Sequence, residues 1–398
     1  MMLVYTSITK NYLPKARVLA ISIKKFHPDW YFVLLLSDSL PEDFNLDNEP
    51  FDEILLANEL NIPNFKSWAF CHSIVELCTA VKGPAACLLA KRKNVTKIMY
   101  LDPDIKVFNS LACLDKKLDT YDILLTPHLL DPETDDLSIK DNEICALKHG
   151  TYNLGFFAVK TSGQGLQFLN WWSERLIKFC YANIPEGLFT DQRWCDLAPA
   201  FFSNLGIVRD RGCNVATWNI AHRHLSKDDN GVFYVNGDPL RFYHFTSYDN
   251  GDGMIMLKRY ASNQSIAHEL WDTYGKDLLA NGQGEAKYRS WYYEQFENGE
   301  SIPSDARRVY KARPDLQKHL PNPYSLVEPS FMNWWNVEIA QNKLIISNFV
   351  SIKKRTLISL LIQGIRSPRQ GFRLAKSALV VLRLEGFFGL IRRLRHYK

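Results

Sequence analysis

The sequence predicts an α/β protein, a sheet flanked by helices with a helical extension after it. Short apolar runs rich in β-branched and aromatic residues alternate with segments of helical spacing over the first two thirds of the chain. The first three elements, a strand at 2–8, a helix at 14–26 and a strand at 31–36, are typical of a right-handed βαβ unit in a buried sheet. Hydrophobic residues make up 46% of the 398 residues, which excludes a wholly disordered chain.

The later elements continue this alternation. Further strands are predicted at 51–56, 98–101, 121–126, 152–159, 207–208 and 240–244, and helices at 68–90 and 165–182. We expect the first of these helices to break at Gly83-Pro84, because neither residue favours a helix interior. Another helix should begin within 189–194, with Thr190 or Asp191 as its N-cap. The chain therefore divides into an α/β domain at 1–262, helices and loops at 263–350, and a tail at 351–398.

The tail holds the positive charge of the chain. The whole sequence has a net charge of +5, but residues 351–398 contain twelve Lys or Arg and one acid, which leaves the preceding residues mildly acidic. The cations alternate with apolar residues and leave no run near the roughly 20 residues that span a bilayer. We expect interfacial helices on an anionic membrane; helices that cover the body's own apolar surface are the open alternative. Nucleic acid is not an expected partner, since the aromatic and polar side chains that would recognise bases are not spaced among the cations.

The cysteines and the first residues bear on the compartment. Eight cysteines occur without a C-x-x-C pair or zinc-like spacing, as is typical of reduced thiols. Residues 1–9 form a strand-like run with no charged region followed by an apolar stretch, so a signal peptide is not expected. The body is therefore expected in the cytoplasm, peripheral on the inner face of the membrane through the tail.

A pair of aspartates follows the predicted strand at 98–101. In Tyr100-Leu101-Asp102-Pro103-Asp104, the two carboxylates occupy alternate positions, so an extended segment would direct both to one side. Hard oxygen ligands of this kind suit Mg²⁺ or Mn²⁺ with phosphates completing the shell. A solvated turn is the alternative, because one D-x-D is expected by chance in about 400 residues.

Polar residues recur at the ends of the predicted strands. If the sheet is doubly wound, the carboxyl ends of its strands form one crevice where nucleotides bind. The residues expected there are Thr6, Ser7, Asp38, Asp102, Asp104, Asn153 and His244.

With these motifs in order, the chain resembles the GT-A-fold glycosyltransferases, most closely glycosyltransferase family 8 and its bacterial relatives. The resemblance covers roughly residues 1–262 and depends on the first strand with its turn, the D-x-D, Tyr152-Asn153-Leu154-Gly155-Phe156-Phe157, Thr190-Asp191-Gln192 and Phe242-Tyr243-His244-Phe245. It implies a Rossmann-like mixed sheet, a divalent cation and a nucleotide-sugar donor, for which a UDP-sugar is the first expectation.

The resemblance also implies roles for individual residues. Asp104 and His244 would bind the metal, and Asp102 would be shared between metal and ribose. An imidazole ligand would suit Mn²⁺ somewhat better than Mg²⁺, unless His244 is only a packed residue of an aromatic strand. The donor would contact Thr6, Ser7, Asp38 and Lys82, and the sugar and reacting face would contact Asn153, Asp191 and Gln192. Asp191 would be a general base in an inverting enzyme and a positioning residue in a retaining one, which family 8 favours; a helix cap is the structural alternative.

Two segments depart from the family pattern. Thr246-Ser247-Tyr248-Asp249 stands where family 8 has a glycine and a Lys-Pro-Trp-like run that grips the diphosphate, and Lys258 or Arg259 would have to substitute. The segment 209–219 has no family counterpart. Its Trp218-Asn219, with His222, would contact donor or acceptor, or else pack in the core.

The expected function is a metal-dependent transfer of a sugar to a glycan or lipid-linked glycan, in cell-surface polysaccharide synthesis. A nucleotidyltransferase that makes nucleotide sugars is one alternative, but it needs a glycine-rich loop after the first strand, and residues 9–14 contain no glycine. The other alternative is a non-catalytic glycan- or membrane-binding protein on a transferase fold.

Overall fold

A computed structural model describes residues 1–41, 43–285 and 290–341. Residues 1–324 form one compact unit, and a second unit begins at Ser325. The tail at 351–398, with its predicted membrane contact, lies outside the described residues. In the part of the chain that is described, no helix is long and apolar enough to cross a bilayer.

The first unit alternates strands and helices, as the sequence predicts. The strands are β1 Met2–Ile8, β2 Tyr31–Leu36, β3 Glu53–Leu56, β4 Lys97–Leu101, β5 Ile105–Val107, β6 Ile123–Pro127, β7 Tyr152–Lys160, β8 Ala182–Asn183, β9 Leu188–Phe189, β10 Leu205–Ile207, β11 Leu225–Lys227, β12 Phe233–Val235, β13 Asp238–Pro239 and β14 Phe242–His244.

The α-helices are α1 Leu13–Phe26, α2 Phe65–Phe70, α3 Ile74–Ala80, α4 Lys82–Ala90, α5 Ala112–Thr120, α6 Asp136–Ser138, α7 Ile144–His149, α8 Gly163–Phe179, α9 Ala198–Phe201, α10 Asp252–Tyr260, α11 Ser265–Ala280, α12 Ser304–Ala312 and α13 Pro314–His319, with α14 Phe331–Gln341 in the second unit. A π-helical turn, Ile139–Glu143, joins α6 to α7.

The central sheet has seven strands in the order β10-β6-β7-β4-β1-β2-β3. β7 runs antiparallel to both of its neighbours, and the other pairs are parallel. The predicted α/β class with a mixed sheet is therefore confirmed. A separate two-stranded ribbon pairs β14 with β5 and sets His244 opposite Ile105, the residue after Asp104.

Alternate residues of β1 face two different cores. Val4 packs in an apolar cluster with Leu19 and Ile23 of α1, whereas the ring of Tyr5 contacts Tyr100 and Phe157 on the other face. This period of two is expected for a strand covered on both sides, and it agrees with the burial of all seven residues of β1.

The predicted break of the helix at 68–90 is in the wrong place. The segment forms α2, α3 and α4, interrupted at 71–73 and at Val81, while Gly83-Pro84 lies inside the first turn of α4. Proline is tolerated there because the first N–H groups of a helix have no partner within the helix. Gly83 is needed for contact with α8, since an added Cβ would lie 2.7 Å from Cα of Ser173.

The predicted boundary after residue 262 lies inside the first unit. Helix α11 shares an apolar cluster with β14, in which Leu270 and Tyr274 lie with Phe245. The indole Nε1 of Trp271 also donates to the hydroxyl of Tyr243 at 3.0 Å. These contacts hold the strand that carries His244.

Candidate active site

The turn between β4 and β5 carries the two aspartates. Within it the N–H of Ile105 donates to the carbonyl of Asp102 at 3.1 Å. The N–H of Asp102 donates to Gly155 of β7, and the carbonyl of Asp104 accepts from Phe245, each at 2.8 Å. The turn is thus tied to the sheet on one side and to the β14 ribbon on the other, which fixes both carboxylates.

Asp102, Asp104 and His244 form a candidate metal site. One ligand atom from each residue lies within 4.8 Å of the others, and His244 Nε2 is 3.0 Å from Asp104 Oδ1 and 3.8 Å from Asp102 Oδ2. Burial opposes the charge of Asp104, but attraction to His244 and Lys15 outweighs it and lowers the pKa of Asp104 to about 2. Burial likewise disfavours the imidazolium, but Asp104 and Asp102 raise the pKa of His244 overall. Two oxygens and one imidazole nitrogen are a ligand set that a divalent cation fits.

Gly155 makes room for this site. An added Cβ would lie 2.5 Å from Cε1 of His244 and 2.7 Å from Oδ1 of Asn153, distances at which atoms clash. The histidine ring therefore packs directly on the backbone of β7. His244 Nδ1 is buried and has no hydrogen-bond partner among the described residues.

Lys82 is a buried cation shared by two carboxylates. Its ammonium lies 3.1 Å from Asp102 Oδ1 and 2.8 Å from Asp191 Oδ2, and its side chain is 4% exposed. It also lies 4.2 Å from the centre of the Tyr100 ring, whose hydroxyl donates to Asp102 at 2.6 Å. Burial disfavours the ammonium, but the two aspartates outweigh that cost and raise the pKa of Lys82. Lys82 thereby joins the metal site to Asp191.

Asp191 lies beside Lys82 and does not cap a helix. The residues after it form a short 3₁₀ helix, Arg193–Leu197, which has no side-chain cap. The carbonyl of Asp191 accepts from the indole of Trp172 at 2.9 Å, which anchors the segment to α8. Burial raises the pKa of Asp191, and Lys82 offsets part of that rise. The predicted capping role is therefore wrong.

The other predicted sugar-contacting residues are held by hydrogen bonds at the same site. Gln192 Nε2 donates to the carbonyl of His149 at 2.9 Å. Asn153 Oδ1 accepts from the N–H of Gly155 at 3.2 Å, and its Nδ2 lies 3.2 Å from Nε2 of His128.

One cavity of about 750 Å³ connects these groups. Of the predicted site residues, Ser7, Lys82, Asp102, Asp104, Asn153, Asp191, Gln192 and His244 line it. The hydroxyl of Ser7 donates to the carbonyl of Cys78 at 2.7 Å. Eight residues spread over the sequence are thus brought to one space.

Thr6 and Asp38 are not among the residues that line the cavity. Thr6 is fully buried within β1. The carboxylate of Asp38 accepts backbone N–H groups from Lys10, Ser39 and Tyr292 at 2.8 to 3.1 Å. The contact of Thr6 and Asp38 with a donor therefore stays a prediction. The cavity does not support it, because neither residue lines the cavity.

The substitutes suggested for the missing family motif, Lys258 and Arg259, are not among the residues that line the cavity, although Asp141 is. Arg259 pairs with Asp141, and Lys258 is exposed. His222 Nε2 lies 3.0 Å from Glu133. Trp218 does line the cavity, and its ring lies edge-on to His244 with centroids 5.3 Å apart.

Sequence reasoning missed His128, which lines the cavity and contacts Asn153. The signal was available, because His128 directly follows the strand β6 and so stands at a strand end like the other candidates. Tyr100 was passed over as an anchor of its strand, although its hydroxyl reaches Asp102.

Comparisons with known sequences give two distant relatives. No protein-family model matches the chain. It is 35% identical over 99 residues to the uncharacterized protein YfnF of Bacillus subtilis (strain 168), across 25% of this chain. It therefore matches about a third of the length of YfnF. It is 22% identical over 249 residues to the uncharacterized protein YfnD of the same organism, across 61% of this chain and 76% of YfnD.

Several solved glycosyltransferase structures are similar to this chain. The galactosyltransferase LgtC, in complex with donor and acceptor sugar analogues, has a TM-score of 0.43 and 15% identity, covering 73% of this chain and 99% of that chain. Mouse xyloside xylosyltransferase 1 has a TM-score of 0.38 and 13% identity, covering 62% of this chain and 97% of that one. These similarities are too distant to assign an activity, so a functional assignment depends on the site itself.

Proposed function

We propose that this chain is a metal-dependent glycosyltransferase that moves a sugar from a nucleotide diphosphate donor to a glycan or lipid-linked glycan. The observation that carries the proposal is the convergence of Asp102, Asp104 and His244 with the Lys82–Asp191 pair in one cavity. A metal site beside a buried cation is suited to a leaving group with two phosphates. The seven-stranded mixed sheet and the class of the similar structures are consistent with the proposal.

Asp104, His244 and Asp102 would hold the cation. A divalent ion neutralises the negative charge that develops on a departing diphosphate without any proton transfer. The imidazole in the ligand set favours Mn²⁺ over Mg²⁺. Lys82 would add a second positive charge near the diphosphate. Its ammonium contacts Asp102 Oδ1, whereas the metal-site histidine lies by Oδ2 of the same carboxylate.

Asp191 is better placed to position the sugar than to act as a base. Its Oδ2 is already paired with the ammonium of Lys82 at 2.8 Å, so this oxygen could accept a hydroxyl proton only by giving up a buried ion pair. This geometry supports a retaining enzyme, in which Asp191, Gln192 and Asn153 orient the sugar. A UDP-sugar is the proposed donor, with Ser7 beside the nucleoside.

The remaining parts of the proposal derive from the sequence. The cationic residues at 351–398 would hold the enzyme on an anionic membrane from the cytoplasmic side, where a lipid-linked acceptor in cell-surface polysaccharide synthesis would be found. Liposome sedimentation of the full chain and of a chain that ends at residue 350 tests this part. Equal binding of both proteins would contradict it.

Turnover of a nucleotide sugar tests the activity. Purified protein with Mn²⁺ should hydrolyse or transfer from at least one member of a panel of UDP-sugars, and Asp104→Asn should reduce the rate by at least about 100-fold. Asp119→Asn is the matched control, because Asp119 is an exposed carboxylate paired with Lys97, the first residue of β4, at the opposite end of that strand from Asp102. A wild-type protein that binds nucleotide sugars but never turns them over would instead support the non-catalytic alternative.

A further inference from the structure

The amide of Asn153 is held at both ends. Asn153 is the second residue of β7, and its Oδ1 accepts the N–H of Gly155 at 3.2 Å. Its Nδ2 lies 3.2 Å from Nε2 of His128, the residue that follows β6. Because one partner is a backbone donor, the side of the amide that faces Gly155 must be its oxygen.

The second partner, His128, is an acceptor. Its Nδ1 lies 3.3 Å from the carbonyl oxygen of Thr151. A carbonyl only accepts, so Nδ1 carries the hydrogen, and a neutral ring then leaves a lone pair on Nε2. Burial lowers the pKa of His128 to about 4, so the ring is neutral at pH 7. Nε2 therefore accepts one N–H of Asn153.

A reversed amide would make two repulsive contacts. Its N–H groups would face the N–H of Gly155, and its oxygen would face the lone pair of His128 Nε2. The observed orientation is therefore fixed, and it leaves the second N–H of Asn153 with no acceptor in the described part of the chain. Since Asn153 lines the cavity, that N–H is available to a ligand.

The position of His128 is itself held by residues that the sequence left unexplained. Its carbonyl accepts the indole N–H of Trp218 at 3.0 Å and the amide N–H of Asn219 at 3.1 Å. The Trp218 ring stands edge-on to the His128 ring, with centroids 5.5 Å apart. Trp218 and Asn219 thus hold the backbone of His128 in place, in addition to any contact that the indole makes with a ligand.

We infer that His128 is a positioning residue that fixes Asn153 as a hydrogen-bond donor toward the cavity, where it selects an oxygen acceptor of the transferred sugar. The inference rests on the proposed function, because the cavity must hold a sugar. Asn153 contacts the ligand, and His128 acts only through Asn153. The expected effect is therefore on recognition of the sugar and not on recognition of the nucleotide.

Affinities for two ligands separate these effects. We compare binding of UDP with Mn²⁺ and of the UDP-sugar found by the turnover screen with Mn²⁺. His128→Leu should reduce the ratio of sugar-nucleotide affinity to UDP affinity by about tenfold, as expected for one lost hydrogen bond. His128→Gln, which can still accept, should keep the ratio within about threefold of wild type. His319→Gln is the matched control, because His319 is exposed on α13 and bonds its own helix.

The outcomes are distinct. An unchanged ratio in His128→Leu, or equal weakening of both ligands, would overturn the inference and leave the proposed function standing. A wild-type protein that binds neither ligand would overturn the proposed function and this inference with it.

The wild-type protein offers an independent readout. In ¹⁵N-histidine NMR at pH 7, the signal that disappears in His128→Gln should come from a ring protonated at Nδ1 with a bare Nε2. The opposite tautomer would turn Asn153 around and overturn the inference, even if His128→Leu does not fold.

Discussion

The ends of β2 and β4 each carry an aspartate after a buried apolar strand, yet the two carboxylates have different surroundings. Asp38 at the end of β2 accepts three backbone N–H groups, one of them from Tyr292. Asp102 at the end of β4 faces the cavity and meets Lys82 and His244. The carboxylate of Asp38 is therefore occupied by backbone hydrogen bonds that stabilise the fold. The carboxylate of Asp102 instead lies among charged side chains at the cavity, where a ligand can contact them.

The difference comes from chain segments that are far away in sequence. Tyr292 and Trp291 reach the end of β2 from beyond α11, and the indole of Trp291 donates to the carbonyl of Ser37 at 2.9 Å. No comparable segment covers the end of β4 among the described residues, where β7 and β14 leave the cavity open. An aspartate at a strand end is thus a functional candidate only where no distant segment covers it.

The largest expected effect is at the β4 end, on removing its buried cation. Lys82→Met leaves Asp102 and Asp191 close together without a counter-charge, so we expect a loss of about 3 kcal/mol in the free energy of unfolding. Adding Asp191→Asn should recover part of this loss. Lys24→Met is the control, since Lys24 pairs with Asp52 at 2.6 Å but is 24% exposed, and its loss should stay near or below about 1 kcal/mol.

Urea unfolding of the wild type and the three variants measures these differences in the free energy of unfolding. If Lys82→Met were as stable as the wild type, the two carboxylates would not need the ammonium. Asp102 at the β4 end would then differ from Asp38 at the β2 end only in how exposed its carboxylate is.

Much of the β4 end was predictable because its signals are local. The period of two in Asp102-Pro103-Asp104 and the apolar strand before it identify a carboxylate pair on one side of a strand end. The partners were harder to predict. The Asp191–Lys82 pair joins residues more than a hundred positions apart, so a capping role was the simplest local hypothesis, and it was wrong.

The helix boundaries show the same limit. Gly83-Pro84 is a strong local signal for a break, but the position of Pro84 in a first turn and the contact of Gly83 with Ser173 are properties of the packed α4–α8 pair. The seven strands of the central sheet were predicted, since burial on both faces makes them largely apolar, whereas short strands outside that sheet, such as β8, β9 and β11 to β13, were not. Sequence patterns thus identified what is buried, and they could not identify which distant residue covers it.

A smaller loss of stability is expected on removing the aspartate at the β2 end. Asp38→Ala leaves the N–H groups of Lys10, Ser39 and Tyr292 without their acceptor, so stability should fall by about 2 kcal/mol. Binding of UDP with Mn²⁺ should stay at the wild-type level, as isothermal titration would show. Weaker UDP binding with undiminished stability would reverse the comparison and restore Asp38 as the donor-binding residue that the sequence predicts.

The smallest expected effect is the change of stability with pH, and it should arise only at the β4 end, from His244. The folded-state pKa of His244 is raised above its ordinary value of about 6.5. Its pairing with Asp104 therefore stabilises the metal-free protein fully below pH 6.5, and this stability is lost as the pH rises through the folded-state pKa. A Mn²⁺ ion needs an unprotonated Nε2, so Mn²⁺ affinity should rise over the same interval.

Melting temperatures of wild type and His244→Gln without metal, at pH 6 and pH 8.5, measure the first change: the wild type should lose stability relative to His244→Gln as the pH rises. Titration with Mn²⁺ at both pH values measures the second. Because both changes arise from one imidazole, they must have opposite signs. A Mn²⁺ affinity that does not depend on pH would mean that His244 is not a ligand, and the β4 end would then be a carboxylate pair whose histidine only packs against Gly155.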